Sequence, residues 1–442
     1  MNTNTSSLRT PLAARLAVAA GLCASAACTP SRDVEANLDL ASVQQRADDA
    51  LAKLRDTENW RALDAHLDDF RNELIDLAYE AASRFPVQPH VKSRSRAQET
   101  VVGVCFELGQ PYRAVGFAEG IANWRRAVAY GDFALYCARH RDDVELEEIE
   151  WYLERASEIA EELTRDPDEQ SWRVDRIRVK VAQAWAWLGQ AGRAADLEQD
   201  LVESESGKVD AVRALQVADE DFEAFLDGLD DAVEQTSFDT ARNQLVASVR
   251  LYERFYDQPE RRAEVAAAIE ASWSPVPPMV RIDILAEMAD VAIEHGDGAT
   301  ALVHVRAARE LLDGTPWQPR HEIPLAAKLI GLRHRAGDVE RAREEAAAAL
   351  ALYAKVREET HETRRAAMLR PLAEAAMAMG DHERAVELYA LAVEEGARNP
   401  NARPRANDLT ATCLSMAVHE VQPPEELWKR MVEIFDGLTD PW

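Results

Sequence analysis

The chain has 442 residues, of which 47% are hydrophobic and 29% charged, so it can bury a large apolar core. Its formal net charge of −28 makes nucleic acid and anionic lipid headgroups poor partners, because an acidic surface repels phosphates. No alternation of polar and apolar residues is sustained along the chain, which argues against a β-sheet and predicts an all-α fold.

Residues 1–28 have the pattern of an export signal. Two arginines precede an apolar run over 16–27, which at about 1.5 Å per helical residue is too short to cross a bilayer. Residues 24–26 (Ala-Ser-Ala) suit an ordinary signal peptidase, whereas 25–28 resemble a bacterial lipobox, in which Cys28 is acylated. Both products are exported. We expect either a lipoprotein held at a membrane by its lipid alone or a soluble periplasmic or secreted protein.

Three helical segments follow the signal. Residues 33–96 have helical periodicity but match no repeat well. Residues 97–277 contain two similar turns, GQPYRA from 109 and GQAGRA from 189, and form degenerate repeats. Residues 278–437 contain the clearest copies, GDGATA, GDVERA and GDHERA, and end in an expected C-terminal capping hairpin with VQPPEE at its turn. The period is about 41 residues, which predicts an α-solenoid of stacked antiparallel helical hairpins.

Each letter of the repeated turn has a physical role. Gly380 follows an apolar helix, where a left-handed backbone costs glycine little. Asp381 is placed to cap the next helix, and Ala385 and Ala392 are small enough to let the two helices pack closely. The same reasoning marks the remaining repeat-defining residues: Gly109, Ala114, Gly189, Ala194, Gly296, Ala301, Gly337 and Ala342.

These residues resemble a tetratricopeptide repeat, whose unit is a pair of antiparallel helices with a turn glycine and two alanines in its second helix. The resemblance covers 278–437 best and 97–203 less well, and the period here is longer than the usual 34 residues. It implies that the first helices line a concave groove that holds a peptide or a helix of a partner. The groove positions implied are Arg176, Gln183, Ser248, Tyr252, Asp283, Asp290, His334, Arg370 and Glu374.

Sequence patterns for catalysis are missing. No histidine pair has metalloprotease spacing, and there is no phosphate-binding glycine loop or nucleophile elbow. Cys105, Cys137 and Cys413 lie in apolar helical stretches and are expected to be buried, although Cys105 and Cys137 could also pair in an exported protein. We therefore expect no enzyme, metal or cofactor.

The sequence predicts an exported, lipid-anchored scaffold that binds proteins at the bacterial cell envelope. Two alternatives belong to other classes. A glycan-binding envelope lipoprotein would display aligned exposed aromatic residues, and the ten tryptophans leave that option open. An α-helical toroid hydrolase would bring two or three acidic residues together in a closed pocket.

Overall fold

The computed structural model describes residues 64–140, 144–165, 170–234, 238–273 and 276–442; the export signal and Cys28 lie outside these ranges. Every regular element within them is helical, which confirms the predicted all-α solenoid. The nineteen α-helices of the described ranges are α1 (Asp69–Ser83), α2 (Val87–Glu107), α3 (Pro111–Ala118), α4 (Arg125–Arg139), α5 (Leu146–Thr164), α6 (Ser171–Trp187), α7 (Ala191–Glu198), α8 (Glu203–Ala214), α9 (Phe222–Glu234), α10 (Phe238–Arg254), α11 (Pro259–Ala271), α12 (Pro278–Glu294), α13 (Gly298–Asp313), α14 (Pro319–Arg335), α15 (Val339–Val356), α16 (Glu362–Ala378), α17 (His382–Ala397), α18 (Ala402–Val418) and α19 (Glu425–Asp436).

The helices form two layers. The even-numbered helices α2 to α18 are the first helices of successive hairpins, and each packs against the next first helix along the chain. The odd-numbered helices from α3 onward are second helices, which cover the outer side of the first helices. Each packs against a neighbouring first helix, and α3, α5, α13, α15 and α17 pack against the first helices on both sides. Since an inner circle is shorter than an outer one, the layer whose helices touch one another continuously is the concave layer.

The two ends of the array meet, and the solenoid closes on itself. α1 packs antiparallel to α18: Arg71 Nε donates to the carbonyl of Ala417 at 2.9 Å. Further along the pair, Thr410 Oγ1 donates to the carbonyl of Ala78 at 3.3 Å. α18 also contacts α2, so the first helices form a closed circle. α1 therefore occupies the position of a second helix between α18 and α2.

The last hairpin is not a free end of the array. α18 has neighbours on both sides, because α1 covers the side that a free terminal unit would leave exposed. Beyond α19 the chain returns to the same junction, where the rings of Phe85 and Trp442 lie 5.3 Å apart. Arg84 lies 4.5 Å from the ring centre of Phe435. The C-terminal segment is thus joined to the start of the described chain.

The repeated turns have the predicted geometry. At Gly380, φ is +75°, and the amide of Asp381 donates to the carbonyl of Ala376 at 2.9 Å, which closes the helix end. The Asp381 carboxylate accepts from the amide of Arg384 at 3.2 Å, as expected for a helix cap. Four other turn glycines also have positive φ: Gly109, Gly189, Gly296 and Gly337.

The turn after α18 has the same hydrogen bond but no glycine. The amide of Val421 donates to the carbonyl of Met416 at 2.9 Å, and Glu420 takes the left-handed position with φ of +56°. A non-glycine residue in this conformation costs about 1–2 kcal/mol. Glu420 also forms an ion pair of 3.0 Å with Arg71 across the closure, which partly offsets that strain.

The repeat alanines are all buried, as predicted: Ala114, Ala194, Ala301, Ala342, Ala385 and Ala392. Cys105, Cys137 and Cys413 are buried free thiols, which confirms their expected role as small apolar side chains. One apolar cluster contains residues from both ends of the array, such as Leu74 of α1 and Leu414 of α18. The core is therefore continuous across the closure.

The helix pair α4 and α6 makes a close approach at Gly131. A Cβ atom added there would lie 2.5 Å from the Cβ of Lys180, whereas one added at Gly103 in α2 would have no neighbour within 4 Å. We expect Gly131→Ala to lower the free energy of unfolding by about 1–3 kcal/mol, because the helices must separate. Gly103→Ala should raise it by up to about 1 kcal/mol through helix propensity. Urea denaturation followed by circular dichroism checks both, and equal effects would contradict the close packing.

Candidate functional site

Five of the nine predicted groove residues pair with side chains of another first helix or of the turn that follows it. Asp283 accepts from Lys328 at 3.0 Å, and Asp290 accepts from Arg335 at 2.5 Å. Both pairs join α12 to α14, and both span 45 residues, about one repeat. Polar side chains at matching positions of successive units therefore form a ladder across the concave layer.

The ladder continues between α16 and α18. Arg370 donates to Asp408 at 3.0 Å, over 38 residues of sequence. Glu374 accepts from Ser415 Oγ at 2.6 Å, and its other oxygen lies 4.0 Å from His419 Nε2. Pairs of this kind hold adjacent units in register, and where they are exposed each contributes at most about 1 kcal/mol.

Three predicted groove residues are not on an open surface. Gln183, Ser248 and Tyr252 are buried between helices, with exposed fractions of 8%, 5% and 1%. Gln183 Nε2 donates to the carbonyl of Lys208, and the Tyr252 hydroxyl lies 3.2 Å from His304 Nε2. Helical periodicity does not distinguish the groove side of a first helix from the side facing its neighbour. Their assignment to partner binding is therefore corrected to packing.

His304, on α13, is held neutral by its surroundings. Burial is the main cause that lowers the pKa of its imidazole to about 4, and the nearby Arg262 lowers it further. The neutral ring stacks edge-on against Tyr252, with centres 5.9 Å apart. The pair therefore serves as a link between the two helix layers. His334 is half-buried near the end of α14.

The ninth residue, Arg176, belongs to a group that the sequence analysis missed. Arg176 Nη2 lies 3.0 Å from Glu99 Oε1, although α4 separates their helices α6 and α2. Since α3 and α5 cover the outer side of α4, this ion pair crosses the inner side. Arg125, at the start of α4, contacts the other Glu99 oxygen at 3.1 Å. One glutamate thus bridges two arginines on the concave face.

Two tryptophans complete this group. The Arg125 guanidinium lies 4.3 Å from the ring centre of Trp124, and that of Arg176 lies 5.4 Å from it. Trp172 meets Trp124 edge-on, with ring centres 5.3 Å apart. We call the group the basic aromatic cluster, and it comprises Arg96, Glu99, Trp124, Arg125, Trp172 and Arg176.

The electrostatics of this cluster are dominated by positive charge. Burial lowers the pKa of Arg125 to about 10, Glu99 opposes that change, and the like charges of Arg176, Arg96 and Arg173 add to it. Arg96 is exposed, and the side chains of Arg125 and Glu99 are 14% and 18% exposed. The arginines therefore repel one another, and Glu99 is the carboxylate that the structure places between two of them.

A signal for this cluster is present in the sequence. The dipeptide Trp-Arg occurs at 124–125 and again at 172–173, at the starts of the successive first helices α4 and α6. Alignment of the first helices by their N-terminal ends places the two tryptophans near one another. The repeated turns that define the period lie at the other end of these helices and do not mark the tryptophans.

Other kinds of site have little support in the described part of the chain. A small cavity of about 10 Å³ lies between α17, α18 and α19, with Asp408 as the one carboxylate in its lining. No group of three or more histidine, cysteine or acidic side chains is placed to hold a metal within the described ranges. None of the helices described there is both long and apolar enough to span a bilayer.

Comparison with known proteins finds matches only among solved structures. No protein-family model and no curated protein matches the chain. A solved structure titled "Circular tandem repeat protein with novel repeat topology and enhanced subunit contact surfaces" is similar over 90% of this chain and 88% of its own, at 14% identity and a TM-score of 0.17. The chain is a helical-repeat protein. This assignment rests on the helical hairpins, the repeated turns and the ring closure of the chain itself.

Proposed function

We propose that the protein is an exported, lipid-anchored scaffold that binds a polypeptide partner on its concave face at the bacterial cell envelope. The observation that carries the proposal is the layer of first helices, which presents charged side chains of both signs around one inner surface. Solenoids of this kind bind by displaying side chains from many units over a continuous surface. The tetratricopeptide resemblance supports a polypeptide as the partner. The lipobox-like residues before Cys28 support export and the lipid anchor.

The arrangement of exposed aromatic residues favours this function over glycan binding. Trp151 and Trp172 are 50% and 46% exposed. Trp151 belongs to α5 in the outer layer, and Trp172 belongs to α6 in the inner layer, so they do not form one stacking platform. The carboxylate in the cavity, Asp408, is paired with Arg370, which gives no support to a hydrolase.

The anchor is tested by the intact mass of the protein produced in a bacterial host. We expect a mature chain that begins at Cys28 and carries a diacyl or triacyl increment, and Cys28→Ala should abolish that increment. An unlipidated chain beginning at Ala27 would replace the anchor with free export. A chain that retains Met1 would overturn the export proposal.

The binding face is tested by photo-crosslinking in the producing bacterium. A photoreactive residue at Asp290, on the inner layer, should give a covalent adduct of defined mass with an envelope protein. The matched outer position is Glu340 of α15, whose side chain is 86% exposed. Adducts at both positions, or at neither, would contradict binding on the concave face.

A further inference from the structure

We propose that the basic aromatic cluster is the docking point for an acidic segment of the partner, whose aspartate or glutamate side chains bind Arg96, Arg125 and Arg176. This rests on the proposed function, because it specifies the chemistry of the polypeptide that the concave face binds. This binding differs from recognition of a chain terminus, because the negative charges of the segment lie on its side chains.

The geometry already shows how a carboxylate is held there. Glu99 contacts Arg125 with one oxygen and Arg176 with the other, at 3.1 and 3.0 Å. A guanidinium offers five donors in a plane, and a single ion pair uses only some of them. Each of these arginines therefore has N–H groups left to donate to a second carboxylate on its solvent side. The 38% exposure of the Arg176 side chain leaves that side open.

The charge balance also favours an acidic ligand. Arg96, Arg125 and Arg176 carry three positive charges against the one negative charge of Glu99, in a chain with a net charge of −28. At physiological ionic strength the Debye length is about 8 Å, so more distant acidic residues are largely screened. A ligand at the cluster therefore responds mainly to the local arginines.

Trp172 gives the cluster an apolar component. Its ring is 46% exposed although it is large and apolar, and it lies edge-on to the buried Trp124. Tryptophan and arginine are the residue types that most often dominate protein–protein binding energy. A segment that places an aliphatic side chain beside an acidic one would contact Trp172 and the arginines together.

The test uses the full-length mature protein and a short fluorescent peptide of alternating glutamate and leucine, blocked at both ends. A lysine–leucine peptide of the same length is the charge control. We expect fluorescence anisotropy to detect the acidic peptide, and Arg176→Gln and Trp172→Ala each to weaken its binding about tenfold. Arg193→Gln is the matched control, because Arg193 also stacks on a tryptophan, Trp185, at 4.3 Å outside the cluster. It should leave binding unchanged.

Glu99→Gln separates ligand binding from a structural role. Glu99 competes with an incoming carboxylate for Arg125 and Arg176, so its neutral variant should bind the acidic peptide several-fold more tightly. A purely structural ion-pair network predicts weaker or unchanged binding instead. Circular dichroism melting curves establish that each variant is folded before its binding is compared.

Three outcomes would overturn the inference: equal binding of the two peptides, equal loss in Arg176→Gln and Arg193→Gln, or tight binding of oligogalacturonate with none of the acidic peptide. These outcomes are distinguishable from failure of the scaffold proposal. If crosslinking at Asp290 succeeds while the acidic peptide does not bind, the scaffold stands and only the chemistry of its partner changes.

Discussion

Replacing Glu395 with alanine should lower the free energy of unfolding by about 3–5 kcal/mol, because it leaves the charge of Arg365 without its ion-pair partner at a buried site. The Glu395 side chain, on α17, has no exposed surface. Arg357 Nε donates to it at 2.6 Å from the end of α15, and Arg365 lies 3.4 Å away on α16. One carboxylate therefore joins three consecutive helices.

The neighbouring residue provides the control. Glu394 is half-exposed and pairs with Arg430 at 2.7 Å, so Glu394→Ala should cost less than about 1 kcal/mol. Urea denaturation followed by circular dichroism measures both variants at one pH and salt concentration. If the two variants lose similar stability, the buried ion pairs do not hold these helices together.

Local features of the fold were predictable because they follow from local rules. Gly380 needs a left-handed backbone, Asp381 caps the next helix, and Ala385 and Ala392 allow close packing. Each of these effects depends on a few residues that are adjacent in sequence. The all-α class and the hairpin arrangement therefore follow from the sequence.

Closure could not be predicted in the same way. Arg71 and Ala417, which meet at the junction, are 346 residues apart, and no repeat pattern marks α1 as the missing second helix. The residue that takes the turn position there is Glu420, whereas five other turns of the described chain have a glycine with positive φ at this position. Its ion pair with Arg71 becomes apparent only once the ends are brought together.

The candidate site was predictable in part. The sequence assigned Asp283, Asp290 and Arg370 to the inner side because polar positions recur with the period of the helix and of the repeat, and in the structure each pairs with a side chain of the next first helix. The same assignment placed Tyr252 on the groove side, although its side chain is buried. The rotation of each first helix about its axis depends on its neighbours, so the helical period alone does not determine which residues face the groove. Apart from Arg176, the basic aromatic cluster was missed because it combines three units, each of which contributes only two of its residues.

The second large effect on stability is expected at Arg113, and the arginine at the same position of another repeated turn provides the comparison. In GQPYRA and GQAGRA the fifth position is arginine, Arg113 in the first and Arg193 in the second. The Arg113 side chain is only 1% exposed, because α1 packs over α3. It donates to Asn72 Oδ1 and to Asp76, both at 2.6 Å. Arg193 is 56% exposed and pairs with Glu150 at 3.3 Å.

We expect Arg113→Met to lower the free energy of unfolding by about 3 kcal/mol, because it leaves the Asp76 carboxylate and the Asn72 amide without their buried partner. Arg193→Met should cost less than about 1 kcal/mol. Both are measured by urea denaturation on the full chain, and equal losses would contradict the packing of α1 over α3. The same residue at the same repeat position therefore differs in its effect only because α1, which closes the ring, covers one copy and not the other.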